Sequence, residues 1–255
     1  MRFVFLIATL IFCFGKNAEA VSVLHNIKTE IGVFDACEET FEYSFFNDKD
    51  YNVKTTLKTS GTFGTLYPFK ATYHAVGTYD KTRFYPQDYF YETDSFNHRT
   101  KEIVYEKGMP VYRISTKNGV KREAKIEPDL QYQTSNDLLT TFAELALLVK
   151  DGKKCDFEQY AFNGKKYTKL TSEYLGKEKL VTPYFKGRAM KCKIRLKILE
   201  DTDAGFLLNR DEPAYVWILN DEKTGLPFVA KIFIKSTPLG ELEALTTKVE
   251  VKNAE

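Results

Sequence analysis

Between Ser135 and Leu148 the chain reads SNDLLTTFAELALL, an apolar helical pattern among residues that otherwise read as strands and turns. Ser135 or Asn136 offers the short polar side chain that caps a helix N-terminus by accepting from free backbone N–H groups. Leu138, Phe142, Leu145 and Ala146 recur at the spacing of three and four that marks one helical face. Leu139, Ala143 and Leu147 widen that face until little of the helix is left for water. A lone apolar helix in a β-rich chain has to bury itself against a sheet, because neither element covers its own apolar face. The stretch therefore points to a mainly β protein: a single curved antiparallel sheet, or an open barrel-like domain, packed around one principal α-helix.

The flanking residues supply that sheet. Val21–Asp35 starts weakly patterned, with Ile27, Ile31 and Val33 alternating near its end, and Thr40–Phe46 is the first clear strand. Tyr51, Val53, Thr55 and Leu57 alternate with Asn52, Lys54, Thr56 and Lys58, the period of a half-buried strand. Ser60–Gly64 reads as a glycine-punctuated bend. Lys101–Tyr105 and Val111–Thr116 form a hairpin, and Asn118-Gly119 and Asn163-Gly164 are tight-turn signals. Met190–Leu199 alternates basic residues with Cys192, Ile194, Leu196 and Ile198. Tyr215–Leu219, Phe228–Ile234 and Leu242–Val251 complete the set. The βαβ alternation of a nucleotide-binding fold is missing.

The N-terminus reads as an export signal. Arg2 precedes an apolar run from Phe3 to Phe14, and Ala18-Glu19-Ala20 sets small residues at the positions signal peptidase recognises. Cleavage is expected between Ala20 and Val21, leaving 21–255 as one β domain. The run falls short of the about 20 apolar residues that span a bilayer, and no later run is long enough. The expected location is the periplasm. Of the four cysteines, Cys13 leaves with the signal, and an oxidising compartment permits one disulfide among Cys37, Cys155 and Cys192. Cys155–Cys192 is the preferred pair because both flank one block of strands; Cys37 with either partner stays open.

The mature chain resembles the DUF3108 family, exported bacterial proteins of uncharacterised activity. The resemblance rests on the order of its stations. Thr59–Phe69 (TSGTFGTLYPF) comes first, then Asp137, Leu138 and Leu139 at the helix start, and the Asn163-Gly164 hairpin. Gly187 and Cys192 share a strand. Val216–Phe228 (VWILNDEKTGLPF) carries Trp217, Asp221 and Pro227, with Gly240 and Leu242 after it. The resemblance implies an exported antiparallel β domain and no established reaction.

Chemistry is thinly marked. A formal net charge of +2 with spread basic residues lacks the clustered stripe of a nucleic-acid surface. His25, His74 and His98 have none of the local pairing of a zinc site. No GxSxG elbow, P-loop or dinucleotide turn marks a catalytic or cofactor site. Asp201, Asp203 and Glu212 loosely match a calcium loop, but Gly205 replaces an oxygen ligand, so a solvated turn is the simpler reading. The candidate ligand-lining residues are Leu138, Leu139, Phe142, Leu145 and Trp217, on the expectation that the helix roofs a cavity for a lipid or acyl chain. A fully packed core explains the same residues without a ligand. Two rival readings are an envelope-polymer hydrolase using carboxylates such as Asp211 and Asp221, and a structural domain that binds an envelope partner along a strand edge. Mass spectrometry of the protein from its own envelope is expected to show a mature N-terminus at Val21; intact Met1 on cytosolic protein would count against export.

Overall fold

The computed structural model describes residues 20–46, 49–80, 83–127, 135–150, 152–199, 212–222 and 225–254. Period-two patterning makes strands of most of this length. The first half forms β1 (Ala20–Ile31), β2 (Phe34–Phe46), β3 (Asp50–Thr59), a short helix α1 (Gly61–Leu66), β4 (Lys70–Tyr79) and β5 (Phe84–Asp94). It continues through β6 (Arg99–Glu106), β7 (Met109–Lys117) and β8 (Val120–Lys125). The principal helix α2 (Leu138–Lys150) follows. The second half is β9 (Phe157–Phe162), β10 (Tyr167–Val181), β11 (Lys186–Ile198), β12 (Ala214–Asn220), β13 (Pro227–Thr237) and β14 (Gly240–Ala254).

Among the described residues these strands form one fourteen-stranded sheet, ordered β8-β7-β6-β5-β4-β3-β2-β1-β14-β13-β12-β11-β10-β9. The halves join where β1 pairs antiparallel with β14, Ala20 opposite Ala254 and Ile31 opposite Leu242. The chain thus runs from the middle of the sheet out to the edge β8, passes through α2 to the other edge β9, and returns to the middle. Since α2 touches β3, β4 and β5 as well as β9 and β13, the sheet curls around it. Tight turns keep the meander regular: Lys107 and Gly108 have φ of 53° and 76°, and Asn118 and Gly119 have 49° and 83°. Two successive left-handed residues make the turn whose twist matches that of paired strands.

The curl is fastened by polar contacts across its gap. Lys101 Nζ donates to Asn163 O at 2.8 Å, and Arg113 Nη1 donates to Gly164 O at 2.7 Å, tying the β9–β10 turn to β6 and β7. Gly164 has φ of 85°, and a Cβ there would lie 3.0 Å from Ile103 Cδ1, so both the turn and the close approach require glycine. The edge of β9 is covered by Asn136, whose N–H donates to Tyr160 O at 3.0 Å and whose carbonyl accepts from Phe162 N–H at 2.7 Å. The edge β8 reads VKREAK and is largely exposed. Charges along a short edge strand discourage pairing with another chain.

The inside of the curl holds the core. Leu139 and Ala143 pack with Tyr51, Val53, Ile103 and Tyr105. Leu145 and Val149 pack with Leu170, Ile194, Val216 and Ile218. Each such aliphatic side chain stabilises the fold by roughly 1.5–3 kcal/mol when fully buried.

Three local expectations change. The helix is capped by Asp137 rather than Ser135 or Asn136: its carboxylate accepts from Thr140 N–H at 2.9 Å and from the Thr140 hydroxyl at 2.5 Å. Asn136 is taken up by the β9 edge instead. The twelve-residue β1, which starts at Ala20, takes up most of the weakly patterned Val21–Asp35. Its buried row is Val23, His25, Ile27, Thr29 and Ile31, and the two polar members mask the alternation. The glycine bend proves to be α1, one exposed helical stretch that buries none of its residues.

Cys155 and Cys192, with Cα atoms 6.3 Å apart and a sequence separation of 37, are disulfide-bonded, and Cys37 is free. In the chain-entropy picture a loop of this size contributes about 4 kcal/mol. Non-reducing peptide mapping is expected to link Cys155 to Cys192 and to leave Cys37 open to alkylation once the protein is unfolded. Replacing both bonded cysteines with alanine is expected to lower stability by about 2–4 kcal/mol in guanidinium titration.

Candidate functional site

α2 does not fill the curl. It reaches β3–β6 through Leu139 and Ala143, and β10–β12 through Leu145 and Val149. Between those contacts a cavity of about 400 Å³ lies along the helix, lined on the sheet side by β1, β2 and β13 among other strands. The helix lines it with Leu138, Leu139, Phe142, Leu145, Ala146 and Val149. The sheet adds Ile27, Phe41 and Tyr43 on one side and Val216, Phe228 and Ile232 on the other. Pockets that hold small ligands have volumes of roughly 300–1,000 Å³ and mostly apolar walls with a few placed polar groups.

One of those polar groups is His25, on β1. It is 1% exposed and sits in an aromatic cup, with ring centroids 5.9 Å from Phe41, 5.6 Å from Tyr43 and 6.1 Å from Phe228. Neither ring nitrogen has a hydrogen-bond partner among the described residues. Leaving such a group unpaired costs roughly 1–3 kcal/mol. The hydroxyl of neighbouring Tyr43 donates to Pro227 O instead. Burial lowers the imidazole pKa to about 4 and keeps the ring neutral.

The second polar group is Glu39 on β2. His25 stands opposite Phe41 and Ile27 opposite Glu39, so Glu39 is a diagonal neighbour of His25, roughly 7–8 Å away. The Thr55 hydroxyl donates to Glu39 Oε1 at 2.9 Å, and burial, the larger effect, raises the carboxyl pKa. At the helix start, burial likewise pushes Asp137 up to about 6 against the pull of its hydrogen bonds from Thr140.

Leu138, Leu139, Phe142 and Leu145 line the cavity, whereas Trp217 does not. Val216 and Ile218 face inward, and alternation turns Trp217 to the outer face of β12. There its indole N–H donates to Glu178 Oε1, and Lys191 and Lys231 lie 4.8 Å and 5.5 Å from its ring centroid. Lysine stems cover apolar surface while their ammonium groups stay in water, so an outward tryptophan can still be buried. The run Tyr215–Leu219 is apolar on both faces and gives no sign of which residue points in.

His25 and Glu39 were not singled out as site residues from sequence. A row of Val23, His25 and Ile27 at period two was the available signal for the histidine. A vestibule of about 550 Å³ adjoins the cavity and shares Val149, Ile218 and Phe228 with it; Lys177, Lys186, Arg188, Asp221 and Glu222 line it too. Asp211 and the acidic stretch 201–211 lie outside the described residues, as do residues 1–19 of the export signal. Among the described residues no group of three or more His, Cys, Asp or Glu is placed to hold a metal ion, and no helix is long and apolar enough to cross a membrane. His74 pairs with Asn52 at 3.0 Å and His98 with Asp94 at 3.2 Å.

The buried imidazole has a pH signature. Its folded pKa lies below the unfolded value of 6.5, so the unfolded chain takes up the proton first as pH falls. Stability present above pH 6.5 is therefore lost between 6.5 and 4, by about 3 kcal/mol in all. Asp137 acts in the opposite direction over part of that range, gaining stability as it protonates below its raised pKa. Urea titrations at pH 7 and 4.5 on the wild type and His25→Phe isolate the histidine. The wild type is expected to lose about 2–3 kcal/mol more than the variant.

The sequence finds no match among curated proteins. Among solved structures, the fold is similar to a β-barrel-like protein of the domain of unknown function DUF1849 from Brucella abortus, with a TM-score of 0.50 and 8% sequence identity. The alignment covers 92% of this chain and 99% of that one, and at such identity the likeness is one of fold. Residues 26–244 match the family described as protein of unknown function (DUF3108), which includes most of the sheet and all of α2, and the chain belongs to that family.

Proposed function

We propose that this protein is a non-enzymatic component of the cell envelope, exported to the periplasm, that holds an apolar ligand such as a lipid or acyl chain between α2 and the sheet. The observation that carries the reading is the cavity of about 400 Å³ walled by one whole face of the helix. Apolar walls that face a void lose the dispersion contacts that a packed neighbour provides. A chain-like ligand restores them and stabilises the folded state by mass action. Export is supported by Arg2, the Phe3–Phe14 run and Ala18-Glu19-Ala20. The hydrolase reading needs two carboxyl groups about 5 Å apart for a retaining glycosidase, and of its two candidates Asp211 lies outside the described residues while Asp221 lines the vestibule and not the cavity. The edge-pairing reading is disfavoured by the charges of β8 and by Asn136 over β9.

Native mass spectrometry of protein purified gently from its own envelope is expected to show a copurifying apolar molecule. Ala146→Trp fills the cavity and Phe142→Asp makes it polar. Each is expected to reduce occupancy at least tenfold, with the β circular-dichroism signal retained. A wild-type protein that is ligand-free in every gentle preparation, and takes up no apolar probe, would overturn the proposal.

A further inference from the structure

The walls of the cavity are apolar, but its floor carries an imidazole whose two nitrogens are unpaired. His25 belongs to β1, the strand at the middle of the sheet, and β14 and β2 flank it on both sides. Its ring is therefore fixed by the backbone and enclosed by Phe41, Tyr43 and Phe228. The Tyr43 hydroxyl donates to Pro227 O and makes no bond to the imidazole. His25 lines the cavity while both nitrogens are closed off from water, so a group that enters beside the ring is the partner left to them. A neutral imidazole has one N–H donor and one bare nitrogen acceptor, so it suits a ligand group that can accept, donate or do both.

We infer that His25 is a head-group site, and that the ligand is an uncharged amphiphile whose hydroxyl or ester carbonyl meets the imidazole while its hydrocarbon lies along α2. This deepens the proposed function and rests on it. Three features exclude the obvious alternative, a free fatty-acid anion. Glu39 lies one diagonal step away on the same face, and a carboxylate head beside it would set two carboxyl groups close together, each opposing the other's ionisation. Among the described residues no lysine or arginine lines the cavity; the cations Lys177, Lys186 and Arg188 belong to the vestibule, beyond Val149, Ile218 and Phe228. The imidazole is held neutral by burial and offers no positive charge to an anion. A hydroxyl or ester group needs no counter-charge. It can pair with His25 and bury without the penalty that a carboxylate would meet in an apolar site.

The test uses the delipidated protein and three probes at pH 7.5. N-phenyl-1-naphthylamine, an uncharged aromatic fluorophore, reports access to the cavity. 1-Monooleoylglycerol and oleate then displace it; they share a hydrocarbon chain and differ in head group. Monooleoylglycerol is expected to bind about tenfold tighter than oleate, the worth of about one well-made hydrogen bond. His25→Phe is expected to lose that preference while keeping the fluorophore. His25→Gln, which retains a donor and an acceptor, is expected to keep most of it. Because a core variant can fail to fold, the wild type also carries a direct readout: the ring 15N resonances of His25 should shift on adding monooleoylglycerol and not on adding the fluorophore. Oleate binding as well as or better than the glyceride, unchanged selectivity in a folded His25→Phe, or silent ring nitrogens would each overturn the inference. Failure of the fluorophore to enter the wild type would instead refute the cavity reading beneath it.

Discussion

Everything in this fold depends on burying an apolar helix that the chain cannot leave in water. α2 joins the two edges of the sheet, so it can be covered only if the sheet bends until both halves reach it. Leu139 and Ala143 engage one half and Leu145 and Val149 the other. The helix start is pinned at the same time. Asp137 caps it through Thr140, and the residue before, Asn136, is held in the β9 ladder. A helix fixed at one end and packed on two sides sets the curvature of the strands around it. The disulfide from Cys155 to Cys192 then secures the segment that leaves its C-terminal end to the floor of β11.

The same geometry accounts for the cavity. A rod touching a curved wall at two places leaves a gap opposite the arc between them. Here that arc is the central seam, β1 and β2. The curl is not closed into a continuous barrel. Two hydrogen bonds, from Lys101 and Arg113 to the carbonyls of the β9–β10 turn, span the gap in its wall. An enclosure of this kind can admit an occupant along one flank of the helix without disturbing the packed contacts on the others.

The interior is also unusual in its polar groups. Asp137 and Glu39 have carboxyl pKa values raised by burial, and His25 has an imidazole pKa lowered by it. All three shifts favour uncharged forms, as expected where the medium cannot solvate charge. Asp137 and Glu39 have hydrogen-bond partners in the protein, Thr140 and Thr55. His25 has none among the described residues, and of the buried groups left unpaired, Tyr105 and Ser172 among them, it is the one that lines the cavity.

Legible in the residues alone were the antiparallel β class, the one principal helix, the turns at Asn118-Gly119 and Asn163-Gly164, and inward helix residues such as Leu139, Ala143 and Leu145. Those features are local. They follow from periodicity and from the few residues that tolerate a left-handed backbone. Family membership was legible as well, from the order of short motifs. Only the tertiary structure decided which β residues meet the helix. In β12 the apolar run Tyr215–Leu219 hides its inward face, so Trp217 could be mistaken for a cavity residue although alternation turns it outward. In β1 the inward row includes His25 and Thr29, so a strand at the centre of the sheet looked weakly patterned. Whether the helix covers a solid core or a void was likewise beyond the sequence. That depends on the radius to which the two halves of the sheet curl, a distance set by contacts between residues far apart in the chain.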